Sequence, residues 1–404
     1  MKIIQMILCS AAISLIAVLP VNGQSQKQEK NGTSTAAPPA SAQPAAAKQA
    51  PETNKSKAGT KNTDEKKTAA SPAPKKEETI EEKEKKTADN IEEVLKYGLQ
   101  KERMLAVTKV LSMKTEAIKK RLQTVLTGSL KDEKDSDVKQ KMIMVLGELK
   151  SEEAVPAIIA SLGDDSEDVR TAAAFALQNI KAVSAKIRLL EELDKQDLSV
   201  DSSYTETLIR ALGSLKAAEI IPRAMKAIED MKTTRNIREA YVLMLGEVER
   251  KDQGDFLLKL FRDEEESVTV RSYAVNSIAK LGIKEAGKDI NAMIDDINSY
   301  SFKKKKQYYT LYIYSVAALA KLGDPQAVPH LENALRSDST EVRVKAVELL
   351  KQLKDKRTID ILKYKMEYDP SYKVRKLSRE ALKEMGVEVK EEGKPGENEE
   401  TEEE

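Results

Sequence analysis

The 404-residue chain has no tryptophan, one cysteine, one histidine and four phenylalanines. These shortages exclude whole classes of chemistry. With His330 and Cys9 as the single residues of their kinds, the chain assembles none of the usual His/Cys zinc sets. A Ser-His-Asp or Cys-His catalytic arrangement is equally out of reach, because His330 opens a helix as Pro-His-Leu and reads as a surface or packing residue. No dinucleotide or P-loop glycine pattern occurs. Asp164-Asp165-Ser166-Glu167-Asp168 resembles a calcium loop only superficially, since Val169 stands where the turn needs glycine. An excess of one charge is also missing: 68 Lys and Arg against 67 Asp and Glu give a net charge of +1. That is not the strongly basic balance of a nucleic-acid-binding protein. The expectation is a protein that is not an enzyme, with no cofactor, no metal, no nucleic-acid partner and no small-molecule substrate.

What is present is a spacing. Eight times between residues 135 and 385 a capping position and an apolar residue fall 14 positions apart. The caps are Asp135, Ser166, Asp201, Thr234, Ser267, the deviant Tyr308, Ser339 and Ser371. Their partners, from Leu149 to Met385, are separated by 31, 35, 33, 33, 41, 31 and 32 residues. A period in the thirties marks a stacked repeat array. Three residues after each cap stand Val138, Val169, Tyr204, Ile237, Val270, Leu311, Val342 and Val374. Eleven after it stand Leu146, Leu177, Leu212, Leu245, Ile278, Leu319, Leu350 and Leu382. These steps make one apolar stripe on a helix of about four turns. A Ser, Thr or Asp cap can accept a hydrogen bond from a free N–H of the first turn. A first helix precedes it, as at Pro156–Leu162, Pro222–Met231 and Pro329–Leu335, where proline suits the opening turn. Strand signals are absent. A single unit cannot cover its own stripe, so stacking must.

Ala327-Val328-Pro329, Leu331, Ser339 to Arg343, Ala346, Leu349 and Leu350 form one motif; Ala154-Val155-Pro156, Ser166 to Arg170, Ala172 to Ala174 and Leu177 repeat it. This pattern resembles the bacterial HEAT-like repeat of the kind found in phycobilisome lyases. The resemblance covers roughly residues 90–388 and implies an all-α fold, a right-handed α-solenoid of about eight to nine HEAT-like helical hairpins, with the second helices lining the concave side. It implies a scaffold for protein binding, and only the scaffold matches, so no tetrapyrrole chemistry is implied. Within the units, Arg170, Arg238, Arg271, Arg343 and Arg375 recur four residues after the cap, with Lys139 in the first copy and Thr205 and Tyr312 as exceptions. A residue present in nearly every unit serves the unit, so these cations read as bonds to the adjoining turn. A basic ladder for an anionic ligand is the alternative. Gly147, Gly213 and Gly246 read as packing positions.

The ends of the chain differ in kind. Lys2 followed by the apolar run Ile3–Leu19 and Val21-Asn22-Gly23 describes a signal peptide, residues 1–23. An uncleaved membrane anchor is the other reading. Export to the periplasm is expected either way. Cleavage after Gly23 would remove Cys9 and leave no thiol. Residues 24–90, rich in Ala, Pro and Lys, bury too little to fold and read as a disordered linker, whether tether or plain spacer. The expected solenoid is 91–388, with a less regular first unit at 90–127, and an acidic disordered tail at 389–404.

One segment breaks the period. The 41-residue spacing before Leu322 makes one repeat long. Its second helix either starts near Ser301 and projects beyond its neighbours, or follows a longer loop. Lys303, Lys304, Lys305 and Lys306 lie here, beside Tyr300, Tyr308, Tyr309, Tyr312 and Tyr314. Tyrosine offers large contact area at low entropy cost, and lysines attract anionic partners. Lys303, Lys304, Lys305, Lys306, Tyr308, Tyr309 and Tyr312 are therefore the candidate partner-binding residues. A protein partner is expected; an anionic envelope polymer or lipid, or an envelope enzyme complex served as accessory subunit, are the alternatives. Some of these tyrosines must also be core, since Tyr308 and Tyr312 share one helical side.

Overall fold

The computed structural model describes residues 78–389. The expected signal peptide, most of the expected linker and nearly all of the acidic tail lie outside the described residues. Nine helical pairs follow one another: Ile80–Tyr97 with Gln100–Lys109, Glu116–Asp132 with Ser136–Glu148, Val155–Ala160 with Glu167–Ile180, Lys186–Asp194 with Ser203–Ser214, Ile221–Glu229 with Arg235–Leu245, Gly254–Arg262 with Val268–Leu281, Gly287–Ser299 with Tyr309–Leu322, Ala327–Ala334 with Thr340–Leu353, and Ile359–Tyr368 with Tyr372–Glu384. The short helix Phe302–Gln307 is inserted in the seventh. Among the described residues there is no strand, and no helix is long and apolar enough to cross a membrane. The fold is an all-α solenoid.

The apolar stripe makes the core. All eight residues three positions after the caps, and all eight at eleven, are buried. Contact runs from each second helix to the next, so every stripe is covered by its neighbours. Small residues let these helices approach closely. A methyl group added at Gly147 would lie 2.7 Å from the Ala176 Cβ, and one at Gly246 would lie 2.6 Å from the Ser277 hydroxyl. That hydroxyl donates across the junction to the Val242 carbonyl at 2.8 Å.

Each repeat leaves its second helix by the same device. Fifteen residues after each cap the backbone turns left-handed: Lys150, Lys181, Lys216, Glu249, Gly282, Gly323, Lys354 and Gly386 have φ between 50° and 77°. These eight are the positive-φ residues among the described positions, and five of them are not glycine. The left-handed turn satisfies last-turn carbonyls that the helix leaves open. At Lys181, for example, the amide donates to the Gln178 carbonyl at 3.1 Å.

The recurrent cations are structural. Arg170 donates to the carbonyls of Asp164 and Asp165 at 2.8 and 2.9 Å, and Arg375 to those of Asp369 and Pro370 at 2.9 and 3.1 Å. Several also reach the turn of the following repeat. Lys139 meets Asp164 at 2.6 Å, Arg238 meets Glu266, and Arg343 grips Asp369 through Nε and Nη2 at 3.0 and 3.1 Å. Arg103, unrecognised in the sequence, does the same in the first pair, with Glu133 at 3.0 and 3.1 Å. The acids serve their own turns too: Asp164 and Asp369 accept the amides of Ser166 and Ser371 at 3.0 and 3.1 Å.

Three sequence expectations change. The first helix begins at Ile80, inside the stretch assigned to linker 24–90, where Thr79 and Glu82 form a reciprocal capping box. Glu84 then accepts the amides of Lys114 and Thr115 at 2.7 and 2.9 Å. The first unit is therefore Ile80–Lys109 rather than 90–127, and Glu116–Asp132 opens the second. In the fourth repeat the cap is Ser202, not Asp201: its hydroxyl accepts the Thr205 amide at 3.2 Å. In the seventh the chain does enter a helix after Ser301, but one continuous projecting helix does not form. Tyr308, at φ −103° and ψ 7°, separates Phe302–Gln307 from Tyr309–Leu322.

Candidate interaction site

The inserted turn is built from its own aromatic and lysine residues. Tyr300 and Tyr308 meet edge to face with centroids 5.2 Å apart, and the Lys304 ammonium lies 3.6 Å from the Tyr300 centroid and 5.8 Å from that of Tyr308. Tyr300 donates its hydroxyl to the Asp296 carboxylate. Burial, and then this bond, push the phenol up to about 12. Lys305 donates to the Asn298 carbonyl at 3.0 Å and ties the insert to the end of Gly287–Ser299.

The candidate residues therefore separate by role. Lys304 and Lys305 hold the insert together. Lys303 and Lys306 are exposed, and no hydrogen-bond or ion-pair partner meets them among the described residues. Tyr308 and Tyr309 are half-buried. Tyr312 is not a surface anchor: it is 5% exposed, and its hydroxyl donates to the His330 carbonyl at 3.2 Å. Burial raises its phenol to about 12. The reason is its place four residues after Tyr308, where most other repeats put a cation toward a turn. Tyr314 is buried as well and packs on Tyr273, with centroids 6.0 Å apart. His330 is a brace, its Nε2 3.1 Å from the Asn291 Oδ1, and burial holds its pKa below the ordinary value.

Between the insert and the eighth repeat lies a cleft of about 260 Å³. Tyr309 and Tyr312 line it from the seventh repeat, with Phe302 and Lys305 from the insert. Asn333, Arg336, Ser337 and Asp338 line it from the eighth. Phe302 is 63% exposed, one of twelve large apolar or aromatic side chains open to solvent among the described residues. Sequence reasoning missed Phe302, Asn298, Asn333 and Arg336, because the cleft joins three segments with no shared motif. The irregular 41-residue spacing and the clustered lysines and tyrosines were the signals that pointed to this junction. Among the described residues no group of three or more His, Cys, Asp or Glu is arranged to hold a metal ion.

Comparison with known proteins identifies the repeat in two regions. HEAT repeats match residues 124–208 and 305–383. Among solved structures, the chain is similar to the complex of CpcE and CpcF of phycocyanin lyase from Nostoc, at 19% identity over 70% of this chain and 98% of that one, with a TM-score of 0.39. It is similar to human deoxyhypusine hydroxylase at 18% identity, over 66% of this chain and 96% of that one, with a TM-score of 0.29. It is similar to a structure of Kap95p with RanGDP at 12% identity, over 74% of this chain and 46% of that one, with a TM-score of 0.40. No curated protein matches. The second matched stretch contains Lys305, Tyr309, Tyr312 and the eighth-repeat wall of the cleft. With two matched stretches, and helical pairs of the same pattern before and between them, the described solenoid is an array of HEAT-like repeats.

Proposed function

We propose that the chain is a non-enzymatic, exported scaffold or adaptor that holds a protein partner on its repeat surface, with the inserted turn of the seventh repeat as its anchor. The carrying observation is that this insert departs from the repeat while leaving Phe302 63% exposed and Lys303 and Lys306 without partners among the described residues. An exposed aromatic beside free cations suits a protein surface, where aromatic anchors dominate binding energy and charge speeds encounter. The apolar start of the sequence supports export, and a periplasmic setting follows from that reading.

The test is crosslinking capture from native envelope extract with the full chain as bait, beside a variant carrying Phe302→Ser, Lys303→Glu and Lys306→Glu. All three side chains are exposed, so circular dichroism should show an unchanged fold. A protein taken by the native chain and lost by the variant supports the reading. Equal capture by both removes the insert from it. The same free lysines also suit an anionic envelope polymer or lipid. Capture of such a polymer with no protein, released by salt, would favour that second reading.

A further inference from the structure

The turn inside the eighth repeat lacks a carboxylate that three other repeats place there. In the second, third and ninth repeats a carboxylate stands two residues before the cap, as Glu133, Asp164 and Asp369, and meets a cation from the preceding repeat. In the eighth that position is Ser337, whose hydroxyl accepts the Ser339 amide at 3.2 Å. The cation that would face it is replaced by Tyr312. Arg336, one residue earlier, is exposed at the cleft wall and has no side-chain partner among the described residues. A junction that in those three repeats closes on an ion pair is here left open, with a guanidinium at its edge.

We propose that this cleft takes an acidic segment of a partner protein, with one Asp or Glu carboxylate meeting Arg336 and a neighbouring apolar side chain resting on Phe302 and Tyr309. The proposal rests on the scaffold reading and adds the chemistry of the partner. Guanidinium matches a carboxylate in a two-bond fork, so Arg336 favours this group over a plain point charge. Phe302 and Tyr309 give the flanking side chain an apolar bed. The Asp338 carboxylate, also on the wall, accepts a backbone N–H of the segment and discourages a partner that is anionic throughout. At about 260 Å³ the space falls below the roughly 300–1,000 Å³ of small-molecule pockets and fits one or two side chains. Lys303 and Lys306, outside the cleft, extend the positive field along the approach.

The experiment is selection of a displayed library of random peptides on the full chain, followed by fluorescence anisotropy with a labelled synthetic copy of the most enriched peptide. Enriched peptides should carry Asp or Glu next to Phe, Leu or Ile. Arg336→Ser should weaken the labelled peptide by about tenfold or more, as loss of a charge-assisted pair does. In Arg336→Lys, carbodiimide should couple the introduced amine to the peptide carboxylate. Arg336 is exposed and its side chain has no hydrogen-bond or ion-pair partner among the described residues, so neither variant should disturb folding. Enrichment without acidic bias overturns the proposal, and so does equal affinity for the Arg336→Ser variant. Binding that emerges only when residues 390–404 are deleted would make the chain's own acidic tail the occupant and overturn the partner assignment. Binding of polyphosphate or anionic vesicles in place of any peptide would overturn it as well. Should a captured protein survive Arg336→Ser yet be lost with the Lys303/Lys306 charge reversal, the scaffold reading stands and the cleft assignment falls.

Discussion

The junction between the eighth and ninth repeats allows the sharpest stability test. Asp369 has a fully buried side chain, and Arg343 is 7% exposed at its side chain. The carboxylate accepts from Arg343 Nε and Nη2 at 3.0 and 3.1 Å, from Lys365 Nζ at 3.0 Å and from the Ser371 amide at 3.1 Å. Asp369→Ala removes all four bonds and leaves two cations facing a buried void. Breaking a buried pair from one side costs about 3–5 kcal/mol. Arg343 keeps the carbonyls of Ser337 and Asp338 through Nη1, at 2.9 and 3.2 Å, which places the expected loss near the lower bound, about 3 kcal/mol. In a repeat array the loss should stay local, because each unit contacts only its neighbours. Native-state hydrogen exchange is the assay: amides of Tyr372–Glu384 should lose about 3 kcal/mol of protection while those of Ser136–Glu148 keep theirs. A loss below about 1 kcal/mol, the range of surface pairs, or an equal loss in both helices would refute the argument. Acid supplies an independent check. Burial pushes the Asp369 carboxyl up, but the bonds from Arg343, Lys365 and Ser371 outweigh it and hold the pKa below 3.8. A depressed carboxylate stabilises fully above its unfolded pKa, so the ninth repeat of the native chain should lose protection only as pH falls below about 4. Asp369→Asn should lack that acid dependence.

Other outcomes follow from packing and backbone. Gly246→Ala should destabilise by about 1–3 kcal/mol in urea unfolding, since the added methyl meets Ser277 backbone and side chain below 3 Å. Gly128→Ala, with nothing within 4 Å of the added group, should instead be neutral or slightly stabilising by the same measure. Lys181→Gly relieves a left-handed residue at φ 61° and should raise stability by up to about 1 kcal/mol in the same assay. Glu116→Ala, which breaks only the surface pair with Lys119, should change unfolding by less than about 0.5 kcal/mol.

How much of this was legible in the sequence depended on periodicity. Positions such as Val169 and Leu177 repeat their environment in every unit, so their burial could be read from spacing alone. The left-handed exits could not, because Lys150, Lys181, Lys216, Glu249 and Lys354 carry no glycine to announce them. The first pair was hidden for a different reason. Ile80–Tyr97 buries only Ala88, Ile91 and Leu95, and its many Glu and Lys residues resemble the linker before it. At the insert, composition pointed to the right place but not to each part: Tyr312 read both as a candidate anchor and as core and is buried, while Phe302, a lone phenylalanine ahead of a lysine run, is the side chain left open. Register within a broken helix is set by where Tyr308 interrupts it, and spacing does not reveal that. The arginine–carboxylate clamps were half legible, since the cation recurs in sequence but its acid sits in a turn of variable length.

The left-handed exits have a mechanical consequence. Four turns of helix separate each exit from the clamp at its helix start, so the array is fastened along two edges. On the clamp edge the fasteners are sunk: Arg343 with Asp369, Arg103 with Glu133. On the exit edge some lie in solvent. Lys216 Nζ spans to Glu249, itself the next exit residue, at 2.9 Å, with side chains 42% and 74% exposed. Dissolved ions weaken exposed pairs and spare buried ones. Rising ionic strength therefore loosens one edge while the other holds, and the array bends more freely about its clamped seam.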